Sequence, residues 1–206
     1  MHQTRQQTTT RLPISRKGTK YIVRALDHHN NAVPVLMALR DMLKVARTAK
    51  EVNEMLKDKL IKVNNIIVTD NRHSIKLFNV LQADKAYFLT LSFNGKYIFE
   101  ETKDSSIRLC KVINKTILKN KITQINFHDG TNMLTKDKLN VGDSVYIDNS
   151  RKIKKIISLT KGAEVLVIAG KYSGTRGKIS EIVDGKFSVS FKGGNVLFDK
   201  LSIIAL

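Results

Sequence analysis

Leu39-Arg40-Asp41-Met42-Leu43-Lys44-Val45-Ala46-Arg47-Thr48-Ala49-Lys50-Glu51-Val52 holds two apolar registers separated by a short corner. Upstream of it, Pro34 suits the first turn of a helix, where its missing N–H costs nothing. Leu36, Leu39 and Leu43 follow at helical spacing, with Met42 beside them. Thr48 and Glu51 form a Thr-x-x-Glu capping box that opens a second helix, whose buried face is Val52, Met55 and Leu56. Next come Leu60-Ile61-Lys62-Val63, the pair Asn64-Asn65, and Ile66-Ile67-Val68. Two β-branched runs across two Asn residues predict a tight hairpin, because Asn tolerates the left-handed region such turns need. Arg40, Lys44 and Arg47 recur at i, i+4 and i+7, so they are expected to line one side of the first helix, with Lys50 joining them across the corner. Four cations on one small surface, near the positive end of a helix dipole, suit phosphate groups.

The rest of the chain repeats this charge bias. Its 206 residues carry 36 Lys and Arg against 18 Asp and Glu, a net +18. Residues 1–33, 34–82, 83–160 and 161–206 contribute +5, +4, +6 and +3, so no single tail holds the excess. Such a balance points first to a polyanion, since a cationic surface gains free energy by releasing counterions from phosphates. A hydrophobic share of 42% excludes wholesale disorder. No apolar run exceeds five residues, far short of the roughly 20 that span a bilayer, and none follows the N-terminus as a secretory signal would. A cytoplasmic protein without a membrane partner is the expectation. Cys110 is alone, so no intrachain disulfide and no CxxC metal site can form.

Residues 1–33 read as a basic arm that orders on its partner, with Arg11, Arg16, Lys17, Lys20 and Arg24 around Pro13 and Gly18. Residues 83–160 read as a small antiparallel β domain. Its strongest signal is the run 87–93, then Asn94-Gly95, then 96–99. Lys111, Lys115, Lys119 and Lys121 are one basic patch on it, and Arg151, Lys152, Lys154 and Lys155 another. His128-Asp129 is no catalytic dyad, because neighbours on a strand point to opposite faces. Cys110 on an alternating strand reads as core, and His28-His29 lacks the further ligands an ion needs. No metal, cofactor or small-molecule substrate is expected. In residues 161–206, the apolar run 165–169 leads into Gly170-Lys171-Tyr172-Ser173-Gly174-Thr175-Arg176-Gly177 and a new strand from Lys178. A P-loop is excluded, as no Gly-Lys-Ser/Thr triplet exists and a strand follows. Gly170, Gly174 and Gly177 are expected to supply positive φ and close backbone approach. Lys171, Arg176 and Lys178 supply charge, and Tyr172 a ring for an exposed base.

Residues 39–52, with Ile61-Lys62-Val63-Asn64-Asn65 and Thr69-Asp70, resemble the S-four-type RNA-binding domain. The version is similar to that of the archaeal and eukaryotic small-subunit ribosomal protein four-e family. Arg16-Lys17-Gly18-Thr19-Lys20-Tyr21, Arg108-Leu109-Cys110-Lys111-Val112 and His128-Asp129-Gly130 resemble the same family. The strand, Gly-rich basic turn, strand order of the C-terminal region resembles a KOW motif, the core of an SH3-like barrel. The resemblance covers roughly residues 11–206 and implies an α+β chain of four parts. These are the arm 1–33, the two-helix-plus-hairpin RNA-binding domain 34–82, a central β domain 83–160 and the barrel 161–206. It also implies that Arg40, Lys44, Arg47, Thr48 and Lys50, with Lys62 on the hairpin, meet ribosomal RNA. The expected role is a non-catalytic constituent of the small ribosomal subunit, with small-subunit rRNA and neighbouring ribosomal proteins as partners. Two alternatives are an RNA-modifying enzyme and a transcription or translation factor using the same modules. The enzyme needs a further domain of well over 100 residues, and the 78 residues of 83–160 offer no pocket of placed acid, base or nucleophile.

Overall fold

A computed structural model describes residues 2–28, 30–118, 122–183, 185–191 and 194–206. The chain has few helices and many strands, and divides into two compact units: Met1–Ser92 with Lys96–Ser106, and Phe93–Gly95 with Ile107–Leu206.

In the first unit the segment read as an arm is folded. Strand β1 (His2–Thr4) pairs antiparallel with β2 (Tyr21–Val23). Leu12, Ile22 and Ala25 are buried, and the Arg11 carbonyl accepts a hydrogen bond from the Tyr97 N–H. What holds the intervening loop is Arg5. Its guanidinium donates to the Ser15 carbonyl at 2.6 Å, the Thr19 carbonyl at 2.8 Å and the Thr19 hydroxyl at 3.0 Å. Composition marks residues 1–33 as polar, but it does not reveal that one Arg can gather these acceptors at once.

Strand β3 (Ala32–Pro34) pairs with β6 (Ser74–Lys76) and runs directly into helix α1 (Val35–Met37). Pro34 therefore precedes the helix instead of sitting within it. The helix is shorter than its periodicity predicts: it widens into a π turn (Ala38–Met42) and stops. Lys44 adopts φ 58°, a left-handed position that ends a helix, and the Leu39 carbonyl accepts from both Val45 and Ala46. Arg40, Lys44 and Arg47 consequently do not form a helical stripe. Helix α2 (Ala49–Lys57) begins as expected: the Glu51 N–H donates to the Thr48 hydroxyl at 3.2 Å, and the Glu51 carboxylate accepts the Arg47 N–H at 2.8 Å. Val52 and Leu56 are buried beneath it.

The Asn64-Asn65 turn has φ of 50° and 65°, the left-handed pair that joins β4 (Lys62–Val63) to β5 (Ile66–Ile67). These strands belong to a five-stranded sheet of order β5-β4-β7-β8-β9, completed by β7 (Val80–Gln82), β8 (Ala86–Leu91) and β9 (Tyr97–Glu101). The Asn94-Gly95 hairpin is thus continuous with the Asn64-Asn65 hairpin. The expected boundary at residue 82 passes between two hydrogen-bonded neighbours, because Val80 to Gln82 pair with Phe88 to Ala86.

The second unit holds two five-stranded antiparallel sheets among its described residues. One has the order β12-β11-β10-β13-β14, from β10 (Ile107–Ile117), β11 (Thr123–Phe127), β12 (Asn132–Thr135), β13 (Ser144–Asp148) and β14 (Ile153–Ile157). Cys110, Val112, Ile125, Phe127, Val145 and Ile147 form its core, so Cys110 is a core residue as its alternation predicts, with its thiol donating to the Asp129 carboxylate at 3.6 Å. The other has the order β18-β17-β16-β15-β19, from β15 (Glu164–Val167), β16 (Arg176–Val183), β17 (Lys186–Phe191), β18 (Gly194–Phe198) and β19 (Ile203–Ala205). Val165, Val167, Ile179, Phe187, Val189 and Ile203 pack inside it. Residues 192 and 193 lie outside the described residues, as do His29, Lys119 and Lys121.

Candidate nucleic-acid interface

The first unit gathers the proposed phosphate ligands by a route other than a helical stripe. A groove of about 860 Å³ is lined by Arg5, Arg40, Lys44 and Arg47, with Tyr21, Ile22 and Ser15 on its arm side. Asp41 is the one acid among the described residues that line it, and Arg40 neutralises that acid through two contacts of 2.9 Å. The hydrogen bond to Asp41 raises the Arg40 pKa. Lys44 and Arg47 are exposed at the groove and present the charge that remains. The early helix stop does the positioning. A left-handed residue at 44 turns the backbone, so the corner residues Lys44, Ala46 and Arg47 join Met37, Arg40 and Asp41 of the helical turn in lining the groove beside the arm.

The remaining predicted residues separate into distinct situations. Arg16, Lys17 and Lys20 are exposed and line a smaller cleft of about 400 Å³ with Arg5. Lys50 is exposed in the first turn of α2, and Lys62 is half-buried on β4. Arg24 is half-buried. Arg11 is half-buried, with its guanidinium 3.5 Å from the Asn31 side-chain oxygen. The Thr48 hydroxyl is used as a helix cap, so it is committed to backbone structure. Sequence reasoning missed Arg5 and Tyr21 as groove residues. The one available signal was the quoted stretch Arg16 to Tyr21, whose loop Arg5 pins.

In the second unit, Lys171, Arg176 and Lys178 are exposed around the glycine-rich turn. Gly170 and Gly174 have φ of 83° and 90°, as expected. Gly177 does not have positive φ, and its requirement is steric. A Cβ there would lie 2.6 Å from Val189 Cγ1 and 2.7 Å from the Ser190 carbonyl oxygen. Tyr172 lies parallel to Phe191, centroids 5.8 Å apart, and edge-on to Phe198. Part of its ring is therefore committed within the unit.

The groups that resemble a catalytic set are otherwise engaged. The Lys111 N–H donates to His128 Nδ1 at 3.1 Å, while the Asp129 carboxylate accepts from the Thr131 N–H and hydroxyl and lies 3.5 Å from the Arg108 guanidinium. Burial, reinforced by Asp129, pushes the Cys110 thiol well above its ordinary pKa, so it carries no thiolate at neutral pH. Lys111 also departs from expectation. It is not part of a surface patch: 1% of it is exposed, and its ammonium donates to the Lys200 and Ile203 carbonyls.

A model of the Ribosomal family S4e matches residues 83–162, and a KOW motif model matches residues 161–192. A small ribosomal subunit protein eS4 from Methanocella arvoryzae is 30% identical over 177 residues, covering 82% of this chain and 76% of the relative. The chain belongs to the S4e ribosomal family. The eS4 protein of Methanospirillum hungatei is 31% identical over 180 residues, with 82% and 74% covered. The crystal structure of the 30S ribosomal protein S4e from Thermoplasma acidophilum superimposes with a TM-score of 0.73 at 26% identity, over 85% of this chain and 95% of that one. As an S4e protein, this chain is a structural ribosomal constituent and not an enzyme. Among the described residues, no helix is long and apolar enough to cross a membrane.

Proposed function

We propose that this S4e protein binds small-subunit rRNA in the cytoplasmic ribosome, beside neighbouring ribosomal proteins, and holds converging RNA segments in place. The observation that carries this reading is the groove in which Arg5, Arg40, Lys44 and Arg47 converge around a single, already neutralised acid. Such a surface binds phosphates whatever the base sequence, so backbone contacts fix the position and register of the RNA. Arg16, Lys17, Lys20, Lys50 and Lys62 extend the contact in the first unit. Lys171, Arg176 and Lys178, on the edge of a KOW-type SH3-like barrel, form a second one.

Sedimentation of a cell lysate through a gradient, with detection of this chain in each fraction, tests the proposal. The chain should travel with the small subunit and remain there at moderate salt. Recovery only at the top of the gradient would reject it.

A further inference from the structure

The groove contains a feature that a plain phosphate clamp does not need. Tyr21 is 54% exposed on the arm side of the groove that Lys44 and Arg47 also line, the condition in which an aromatic ring can receive a stacked base. It is pinned from both ends of the arm. Strand β1 places Thr4 opposite Tyr21, the His2 ring sits 5.5 Å from its ring, and Lys20 Nζ lies 5.4 Å from the ring centroid. Arg5 fixes the loop that leads into it through the Thr19 carbonyl and hydroxyl. These neighbours restrict the ring's rotation, and the part of it that stays exposed is what a base would stack on.

Groove size and charge select the ligand. A space of about 860 Å³ falls within the range of small-molecule pockets and admits a nucleotide or two. A continuous A-form duplex keeps its bases stacked inside, beyond the reach of a ring on a groove wall. A strand with an unpaired nucleotide offers both a π face for Tyr21 and flanking phosphates for Lys44 and Arg47. We infer that this groove is a binding site for an unpaired nucleotide of RNA, its base stacked on Tyr21 and its flanking phosphates on Lys44 and Arg47. This rests on the rRNA-binding reading above and adds a ligand class, single-stranded or junction RNA rather than duplex.

The experiment compares the full chain with Tyr21→Leu and Tyr21→Phe variants on two probes, an RNA hairpin with unpaired loop nucleotides and the same stem as a blunt duplex. Affinity is measured over a range of salt concentrations. Tyr21→Leu should weaken hairpin binding about 5- to 150-fold, the span observed for losing one stacked base. Tyr21→Phe should bind like the parent chain, the salt slope should be the same in all three, and duplex binding should be unaffected. Equal loss on both probes, no loss on either, or failure of Phe to rescue would each overturn the stacking site while leaving salt-dependent RNA binding intact. Absence of salt-dependent binding by the parent chain to either probe would overturn the rRNA-binding reading together with it.

Discussion

The ammonium of Lys111 lies 2.6 Å from the carbonyl oxygen of Ile203 and 2.7 Å from that of Lys200, so a side chain from β10 closes onto backbone 89 to 92 residues further along the chain. A Lys almost wholly removed from water normally costs stability unless its donors are matched. Here two carbonyls accept from it, and it ties the sheet containing β10 to the segment entering β19.

Lys111→Met should leave both carbonyls without their donor and destabilise the protein by about 1–3 kcal/mol near pH 10. The gap should depend on pH. Burial, with the charge of Lys200 adding to it, pushes Lys111 down to about 7 from an ordinary value of 10.5. Between these values the unfolded chain holds a proton that the folded chain lacks, so this residue's contribution to stability is full above 10.5 and is lost as pH falls from 10.5 to 7. Denaturant midpoints of both proteins across that range check the prediction, and the difference should shrink as pH falls and reverse sign by neutral pH, because a shift of this size outweighs about 1–3 kcal/mol.

Gly177→Ala should destabilise the second unit by about 1–3 kcal/mol, the usual cost of forcing extra volume into a packed site. The added methyl meets the Ser190 carbonyl oxygen at 2.7 Å, and backbone cannot rotate away as a side chain can. Thermal melting of the whole protein gives the measurement. A nearby Gly170→Ala variant has open space around its Cβ, so its cost should come from φ of 83° alone.

Lys44→Gly should separate stability from binding. A non-glycine residue at φ 58° carries strain, which Gly relieves by up to about 1 kcal/mol. The same change removes a groove cation. The variant should melt at the same temperature as the parent or higher, while its rRNA affinity should fall and its salt slope flatten by about 0.7–0.9.

Replacing Arg40, Lys44, Arg47 and Lys50 together with Ala should flatten the logarithmic salt dependence of rRNA binding by roughly 0.7–0.9 per lost phosphate contact. The single variants should not be equal. Arg40 is already paired bidentately with Asp41, so Arg40→Ala should move the slope least. An unchanged slope in the quadruple variant would remove the groove from the RNA interface.

Features written in local chemistry were legible without coordinates. The Thr48-Glu51 cap, the left-handed Asn64-Asn65 turn and the Asn94-Gly95 hairpin each depend on residues a few positions apart, and short-range sterics and hydrogen bonding decide them. The positive charge on every stretch was equally plain. Four features were not legible, three of them because they depended on distant partners. The stop at Lys44 was hidden for a different reason, a left-handed Lys that local propensity disfavours, while the folded arm requires Arg5 to find acceptors 10 to 14 residues away. Lys111 counts as surface charge until Lys200 and Ile203 cover it, and Gly177 looks like a turn glycine until Val189 and Ser190 press against it. Sequence alone therefore determined the capped second helix, the hairpin turns and the ionic character of this protein, because these follow from neighbouring residues and their sum. Tertiary structure decided which cations face a common groove and which lie buried, because that depends on contacts between segments far apart in the chain.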